Sequence, residues 1–283
     1  MIAVISKIIS IQSSFTVSEN EIAQYVMNNA DTVVASTIST VAKNTNTSDA
    51  SINRFCKKLG FKGFNSFKIA LAQENFYNTM KESSEKDEKG LITSLSQDYR
   101  QMIINTSAMI DETEAGKAAE AAKAASFITI FAFSSTAFVA AELEHKLSLV
   151  NFRSKVVSDV DLMRIAAVNI GKSDLAIFIV PTILNRDIYP IASACKERGA
   201  LVMAVTSYDS PKLDDLVDFR FITSDRITAR NSLVMSNSLM FLFAIDVFFA
   251  AILNGDKQLR QKKLECDASM RSGQALDNYM LEY

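Results

Sequence analysis

One histidine and three cysteines are all that the 283 residues offer as imidazole bases or thiolate ligands. Cys56, Cys195 and Cys266 lie far apart, odd in number and without paired ligand spacing, which argues against both a disulfide framework and a zinc site. Such usage fits a reducing, cytoplasmic setting. The lone His145 stands in Glu142-Leu143-Glu144-His145-Lys146, a charged stretch of an expected helix, where histidine is a surface or interface residue more often than a base. Glu142 and Glu144, two residues apart, fall on different faces of that helix and make no acid-base pair. Walker and nucleophile-elbow spellings are missing as well. With no catalytic constellation, no enzyme is expected, and no metal or cofactor. Charge of one sign is also scarce: the formal balance of -2 excludes a uniformly basic chain, though not a local basic face.

Long hydrophobic runs are few. Met1 to Ser14 is apolar, but Lys7 interrupts it, Ser6, Ser10, Gln12 and Ser13 dilute it, and no cleavage site follows, so a packed first helix is expected rather than a signal peptide. Val234 to Leu253 is broken by Ser236, Asn237, Ser238 and Asp246. An ionisable group near its middle is costly in lipid, which favours a final helix buried against a sheet and no membrane partner. What is abundant is core material: 48% hydrophobic residues suffice for two domains.

The first 77 residues read as helices. Ser18-Glu19-Asn20-Glu21 spells a capping box ahead of Ile22, Ala23, Tyr25, Val26 and Met27. A second helix opens at Ser36 or Thr37 with Ile38, Val41 and Ala42 at helical spacing, followed by the polar cluster Asn44 to Ser48. Asp49 to Leu59 is a third helix, burying Ile52, Phe55, Cys56 and Leu59 and stopped by Gly60. A fourth starts at Asn65 and packs Phe67, Leu71 and Phe76. Two helices about a tight polar turn, the second carrying small and basic residues outward, are the plan of a helix-turn-helix.

Helical periodicity turns Asp49, Ala50, Asn53, Arg54, Lys57 and Lys58 outward, with Ser48 and Ser51 near the helix start. Small residues let a helix enter the major groove, Asn and Arg read base edges, and Lys contacts phosphate. Between Ser36 and Tyr77, Lys43, Arg54, Lys57, Lys58, Lys62 and Lys68 stand against Asp49 and Glu74, a local +4 in an acidic chain. Double-stranded DNA is the expected partner, touched by Lys43, Ser48, Asp49, Ala50, Ser51, Asn53, Arg54, Lys57, Lys58 and Lys62.

In Ile38, Val41-Ala42, Ser48, Ile52 and above all the run Arg54-Phe55-Cys56-Lys57-Lys58-Leu59-Gly60-Phe61-Lys62-Gly63-Phe64, the chain resembles the N-terminal domain of the RpiR/MurR family of bacterial regulators. Gly60 and Gly63 permit a tight turn, while Phe61 and Phe64 plug the gap between the third and fourth helices.

Asn78 to Gly90 is a charged run without an apolar face and reads as a linker, followed by helix from Leu91 to about Ala125. The period then alternates. Strands are expected at Phe127 to Phe133, Lys155 to Val157, Asp174 to Val180, Leu201 to Thr206 and Phe219 to Ile222; helices fall between them at Ala137 to Leu149, Val160 to Ile170 and Ile188 to Arg198. This order predicts a doubly wound α/β fold with a mostly parallel sheet, behind an all-α helix-turn-helix domain. The expected division is a DNA-binding domain over 1–77, a linker and connecting helix over 78–112, and an effector-binding and dimerising domain over 113–283.

Ligands of such sheets bind beyond the strand C-terminal ends, where Ser134, Ser135, Thr136, Thr182, Asn185, Arg186 and Ser207 gather hydroxyls, an amide and a cation suited to an anion. Over Ala115 to Gly255 the order of segments is similar to a SIS (sugar isomerase) domain, which implies a phosphosugar effector and a homodimer or higher oligomer; in the same fold class, a SIS-type sugar-phosphate isomerase is the alternative. The family's Gly-x-Gly-x-Ser reads here Ala132-Phe133-Ser134-Ser135-Thr136, keeping a serine at Ser135 and neither glycine. Its Ser-x-Ser-Gly-x-Thr reads Val180-Pro181-Thr182-Ile183-Leu184-Asn185. A β-branched Ile183 in place of glycine is expected to obstruct close approach of the backbone to a ligand. Two outcomes stay open for this edge: a phosphosugar site helped by Arg186, or a different role, including dimerisation alone.

Overall fold

The computed structural model describes residues 4–68, 70–72, 74, 90–229 and 231–274. In the head, α1 (Val4–Ile11) continues into a 3-10 turn, followed by α2 (Val17–Asn28), α3 (Ala30–Ala35), α4 (Ile38–Asn44), α5 (Asp49–Lys58) and a helix described at residues 64–68, 70–72 and 74, here α6. Phe76 and the run 78–89 lie outside the described residues. The expected capping box sits two residues earlier: Thr16 is the N-cap, with its backbone N–H donating to Glu19 at 2.8 Å and its hydroxyl accepting from Glu19 N–H at 3.3 Å. The head's core joins Ile8, Ile22, Val26, Val41, Ile52, Phe55, Leu59 and Leu71. Phe67 stands at its centre, edge-on to Phe55 and Phe61 at 6.1 and 5.4 Å, and each such buried ring contributes roughly 2 kcal/mol.

The long helix expected after the linker is two helices, α7 (Leu91–Met109) and α8 (Glu112–Ala124). Beyond them come β1 (Phe127–Ala132), α9 (Thr136–Ser148), β2 (Ser154–Val157), α10 (Val160–Asn169), β3 (Asp174–Ile179), α11 (Ile188–Glu197), β4 (Leu201–Thr206), β5 (Phe219–Ile222), α12 (Ser238–Leu253) and α13 (Lys257–Gln274). The sheet order is β2-β1-β3-β4-β5, with β1 parallel to both β2 and β3, and β3 parallel to β4. Right-handed crossovers put α9 on one face and α10 and α11 on the other. The strands are buried on both faces, which is why they read as continuous apolar runs. Glu144 accepts from Val156 N–H at 2.9 Å and so occupies a donor on the edge strand β2.

Asp246 does not stand alone on α12. It pairs with Lys146 at 3.0 Å, while Phe241, Ala244, Ile245, Phe248 and Ile252 are buried. Among the described residues no single helix is long and apolar enough to cross a membrane.

The chain forms two compact units that interleave along the sequence. One comprises Met1–Asp111, Thr206–Asp215 and Ile222–Met240; the other comprises Glu112–Val205, Leu216–Phe221 and Phe241–Tyr283. Thus the first unit holds the head, α7 and the two loops that leave β4 and β5.

Candidate nucleic-acid interface and ligand-binding edge

The turn between α4 and α5 is built by side chains that copy backbone. Asn46 takes φ +49°, the left-handed conformation that asparagine tolerates, and lets Thr47 N–H reach back to the Ala42 carbonyl at 2.8 Å. Thr45 donates its hydroxyl to the Val41 carbonyl at 2.9 Å. Ser48 then caps α5, accepting from Ser51 N–H at 3.2 Å. Ser39 of α4 donates to Asp49 of α5 at 2.8 Å, joining the two helices on their outer side.

On α5 the expected outward residues separate into two groups. Ser48, Asp49, Ala50, Arg54 and Lys57 are exposed, as are Lys43 on α4 and Lys62 beyond the helix. Arg54 donates to Ser51 Oγ at 3.2 Å, and Ser51 in turn meets Ser48 at 3.0 Å. Lys58 and Asn53 on α5, and Lys68 on α6, have internal duties. Lys58 donates to Glu19 at 2.8 Å and to the Ser14 carbonyl at 2.7 Å, with its ammonium 5.3 Å from the Phe15 ring. Burial raises the Glu19 carboxyl, but the Lys58 and Thr16 hydrogen bonds and the Lys58 charge outweigh it and leave the group below its ordinary value. Asn53, half-buried, accepts from Phe64 N–H at 3.1 Å. A Cβ on Gly63 would lie 3.3 Å from that same oxygen, so the glycine makes room for the lock between α5 and α6. Lys68, one of the cations behind the local positive balance, donates to the Ser36 carbonyl at 2.9 Å. The exposed cations of this segment are therefore Lys43, Arg54, Lys57 and Lys62.

The second site lies where the strand order reverses, between β1 and β3. After β1, Ser134 adopts φ +55°, and Ser134 and Ser135 are exposed at the start of α9. That left-handed residue stands at the second glycine position of the SIS pattern, where glycine carries no strain, and this register puts the pattern's serine at Thr136 rather than at the expected Ser135. Thr136 is buried and donates to the Phe133 carbonyl at 2.9 Å, so its hydroxyl is a structural one. After β3, Thr182 accepts from Leu184 N–H at 3.2 Å and Asn185 from Asp187 N–H at 2.8 Å, while Arg186 is exposed. Ile183 departs from expectation: it is 0% exposed with no positive φ, so its side chain belongs to the core rather than to a ligand's path. Ser207 departs too. It belongs to the other compact unit, is 1% exposed, and shares a hydrogen bond with Thr223 at 3.0 Å.

The model of the helix-turn-helix domain of the rpiR family matches residues 2–77. An uncharacterised HTH-type transcriptional regulator of Caldanaerobacter subterraneus subsp. tengcongensis is 30% identical over 256 residues, covering 89% of this chain and 91% of the relative. The chain belongs to the RpiR family. It is accordingly a DNA-binding transcriptional regulator. Among solved structures, Vibrio vulnificus NanR complexed with ManNAc-6P superposes with a TM-score of 0.60 at 19% identity, over 97% of this chain and all of that one. The sugar isomerase domain of an RpiR transcription factor from Sphaerobacter thermophilus gives a TM-score of 0.55 at 18% identity, covering 64% of this chain and 97% of that domain. These likenesses establish the fold, a SIS domain behind an RpiR-type head.

This RpiR-family chain also has a concave surface that its sequence did not announce. A groove of about 490 Å³ opens between α10 and strands β1 and β2, lined by Phe127, Thr129, Lys155, Val157, Leu162 and Ile165. It includes Phe127 and Asp174, the first residues of β1 and β3, and so differs from the edge described above. Its signal was an α10 too apolar for one buried face: Leu162, Ile165 and Val168 remain 57%, 58% and 53% exposed.

Proposed function

We propose that this RpiR-family regulator lays α5 in the major groove of duplex DNA and is switched by a phosphorylated sugar held between the loops that follow β1 and β3. Residues 1–77 act as the DNA-binding head and 113–283 as the part that binds the effector and pairs two copies over a near-palindromic site. The single observation that carries the ligand reading is the pair of exposed residues Ser134 and Ser135 opening α9 at the point of strand reversal. Exposed Arg186, on the loop after the neighbouring strand, supplies positive charge. NanR, of the same fold, holds a sugar phosphate. That supports the same ligand class here.

The role is regulation rather than turnover. Glu144 is committed to Val156 N–H and Glu142 lies 3.5 Å from Lys146, so the carboxylates of α9 serve structure. His145 is exposed near that helix's C-terminal end, far along the chain from Ser135. The reducing cytoplasm is the setting that fits the free thiols Cys56, Cys195 and Cys266. A ligand changes DNA affinity only by binding two arrangements of the heads unequally, and a tenfold preference is worth about 1.4 kcal/mol.

A thermal-shift panel of hexose and pentose phosphates, with inorganic phosphate and the free sugars as controls, tests the ligand class. At least one sugar phosphate should raise Tm, and Arg186→Ala should reduce the shift at equal concentration. Equal shifts from inorganic phosphate, or none from any sugar phosphate at millimolar concentration, would refute it.

A further inference from the structure

Two loops, residues 206–210 and 222–224, carry the chain away from the C-terminal ends of β4 and β5, and both belong to the compact unit that contains the head. Hydrogen bonds join them to α1 and α7. Ser6 on α1 is 3% exposed, Asn105 and Thr106 on α7 are 7% and 0%, and Ser224 is 1%. Asn105 Nδ2 donates to Ser6 Oγ at 3.0 Å, and the Ser6 and Ser224 hydroxyls meet at 3.4 Å. Ser224 N–H donates to Thr106 Oγ1 at 3.0 Å, and the Thr106 hydroxyl points at the Met240 sulfur at 3.4 Å. Further along α1, the Ser10 carbonyl accepts from Asp209 N–H in the other loop. Thr223 N–H and the Thr206 carbonyl hold the two loops together at 2.8 Å.

Apolar side chains would pack these elements without removing hydroxyls and an amide from water, a loss that buried hydrogen bonds recover only in part. Directional bonds gain something else. Apolar contact tolerates sliding, whereas this set of donors and acceptors is satisfied in one relative placement of α1, α7 and the loops.

We infer that Ser6, Asn105, Thr106 and Ser224 are positioning residues for DNA binding: they hold α1 against α7 and the loop that follows β5, and so set how the head presents α5. All four are buried, so none touches DNA. The inference rests on the DNA-binding reading above and not on the ligand-binding one.

Full-length Asn105→Leu and Ser224→Ala each remove from this seam one of the two hydrogen bonds that meet at the Ser6 hydroxyl. In each, amides of residues 4–11, 206–210 and 222–224 should exchange with deuterium at least tenfold faster as a group, with residues 127–132 and 174–179 unchanged. Affinity for a 30-base-pair duplex, by fluorescence anisotropy, should fall about fivefold or more while the slope of log K against log salt stays at the parent value. The phosphate contacts remain in place and only their presentation is lost. A reduced slope would mean a damaged head, and unaltered α1 protection or unaltered affinity in both variants would equally overturn the inference. Should the parent show no salt-dependent binding, the DNA-binding reading fails, and the exchange data alone decide whether the seam holds α1.

Discussion

Glu74 reaches from α6 to the first turn of α1, where its carboxylate accepts from Val4 and Ile5 N–H at 2.8 and 3.3 Å. The two bonds favour the charged form, yet burial outweighs them and pushes the carboxyl up to about 6 from an ordinary 4.5. A folded-state value above the unfolded one means that the native head holds this proton more tightly. The associated stability, roughly 2 kcal/mol, is full below pH 4.5 and lost as pH rises through 6. Glu74→Gln keeps an acceptor for both N–H groups and removes the charge. Denaturant titrations should show the variant more stable than the parent at pH 7 and lacking this loss between pH 4.5 and 6; a parent-like decline would contradict the assignment. At this scale the sequence was only partly legible. Periodicity correctly turned Arg54 and Lys57 outward, but it also turned Lys58 and Asn53 outward, and their fates depend on Glu19 and Phe64, residues that only the tertiary fold brings near.

Elements were more legible where burial dictates pattern. β4 falls at its expected limits because a parallel strand covered on both faces is an uninterrupted apolar run between turn residues; β5 falls at its own although Arg220 interrupts it. Elements without such a run were missed: α3 is six residues long, and α13 is mostly polar. The capping box was misplaced because Thr16-x-x-Glu19 and Ser18-x-x-Glu21 are equivalent spellings, and local sequence does not choose between them. Ile183 shows the limit of reading a site from a family pattern. Composition said that a bulky residue had replaced glycine, but not which way it faced. Since it is core, Ile183→Ala should cost about 2–4 kcal/mol by chemical denaturation and should not strengthen phosphosugar binding. Undiminished stability together with tighter binding would return this side chain to the ligand's path.

Over the whole molecule, a chain of net charge -2 carries a cationic face on one helix-turn-helix, and that asymmetry was legible because charge and capping are local properties. The two-unit arrangement was not. Two short segments of the C-terminal half fold with the head, and no boundary drawn along a linear sequence can express that. Duplex DNA binding over a range of salt concentrations, measured for the parent, Lys57→Ala and Lys58→Ala, probes the cationic face most directly. The parent's log K should fall linearly with log salt. Lys57→Ala should bind more weakly with a slope shallower by about 1, whereas Lys58→Ala, having lost its half-buried bond to Glu19, should keep the slope and instead lose about 1 kcal/mol of stability. Salt-independent binding by the parent, or a Lys57→Ala variant indistinguishable from it, would contradict the assignment of α5 as the DNA-contacting helix.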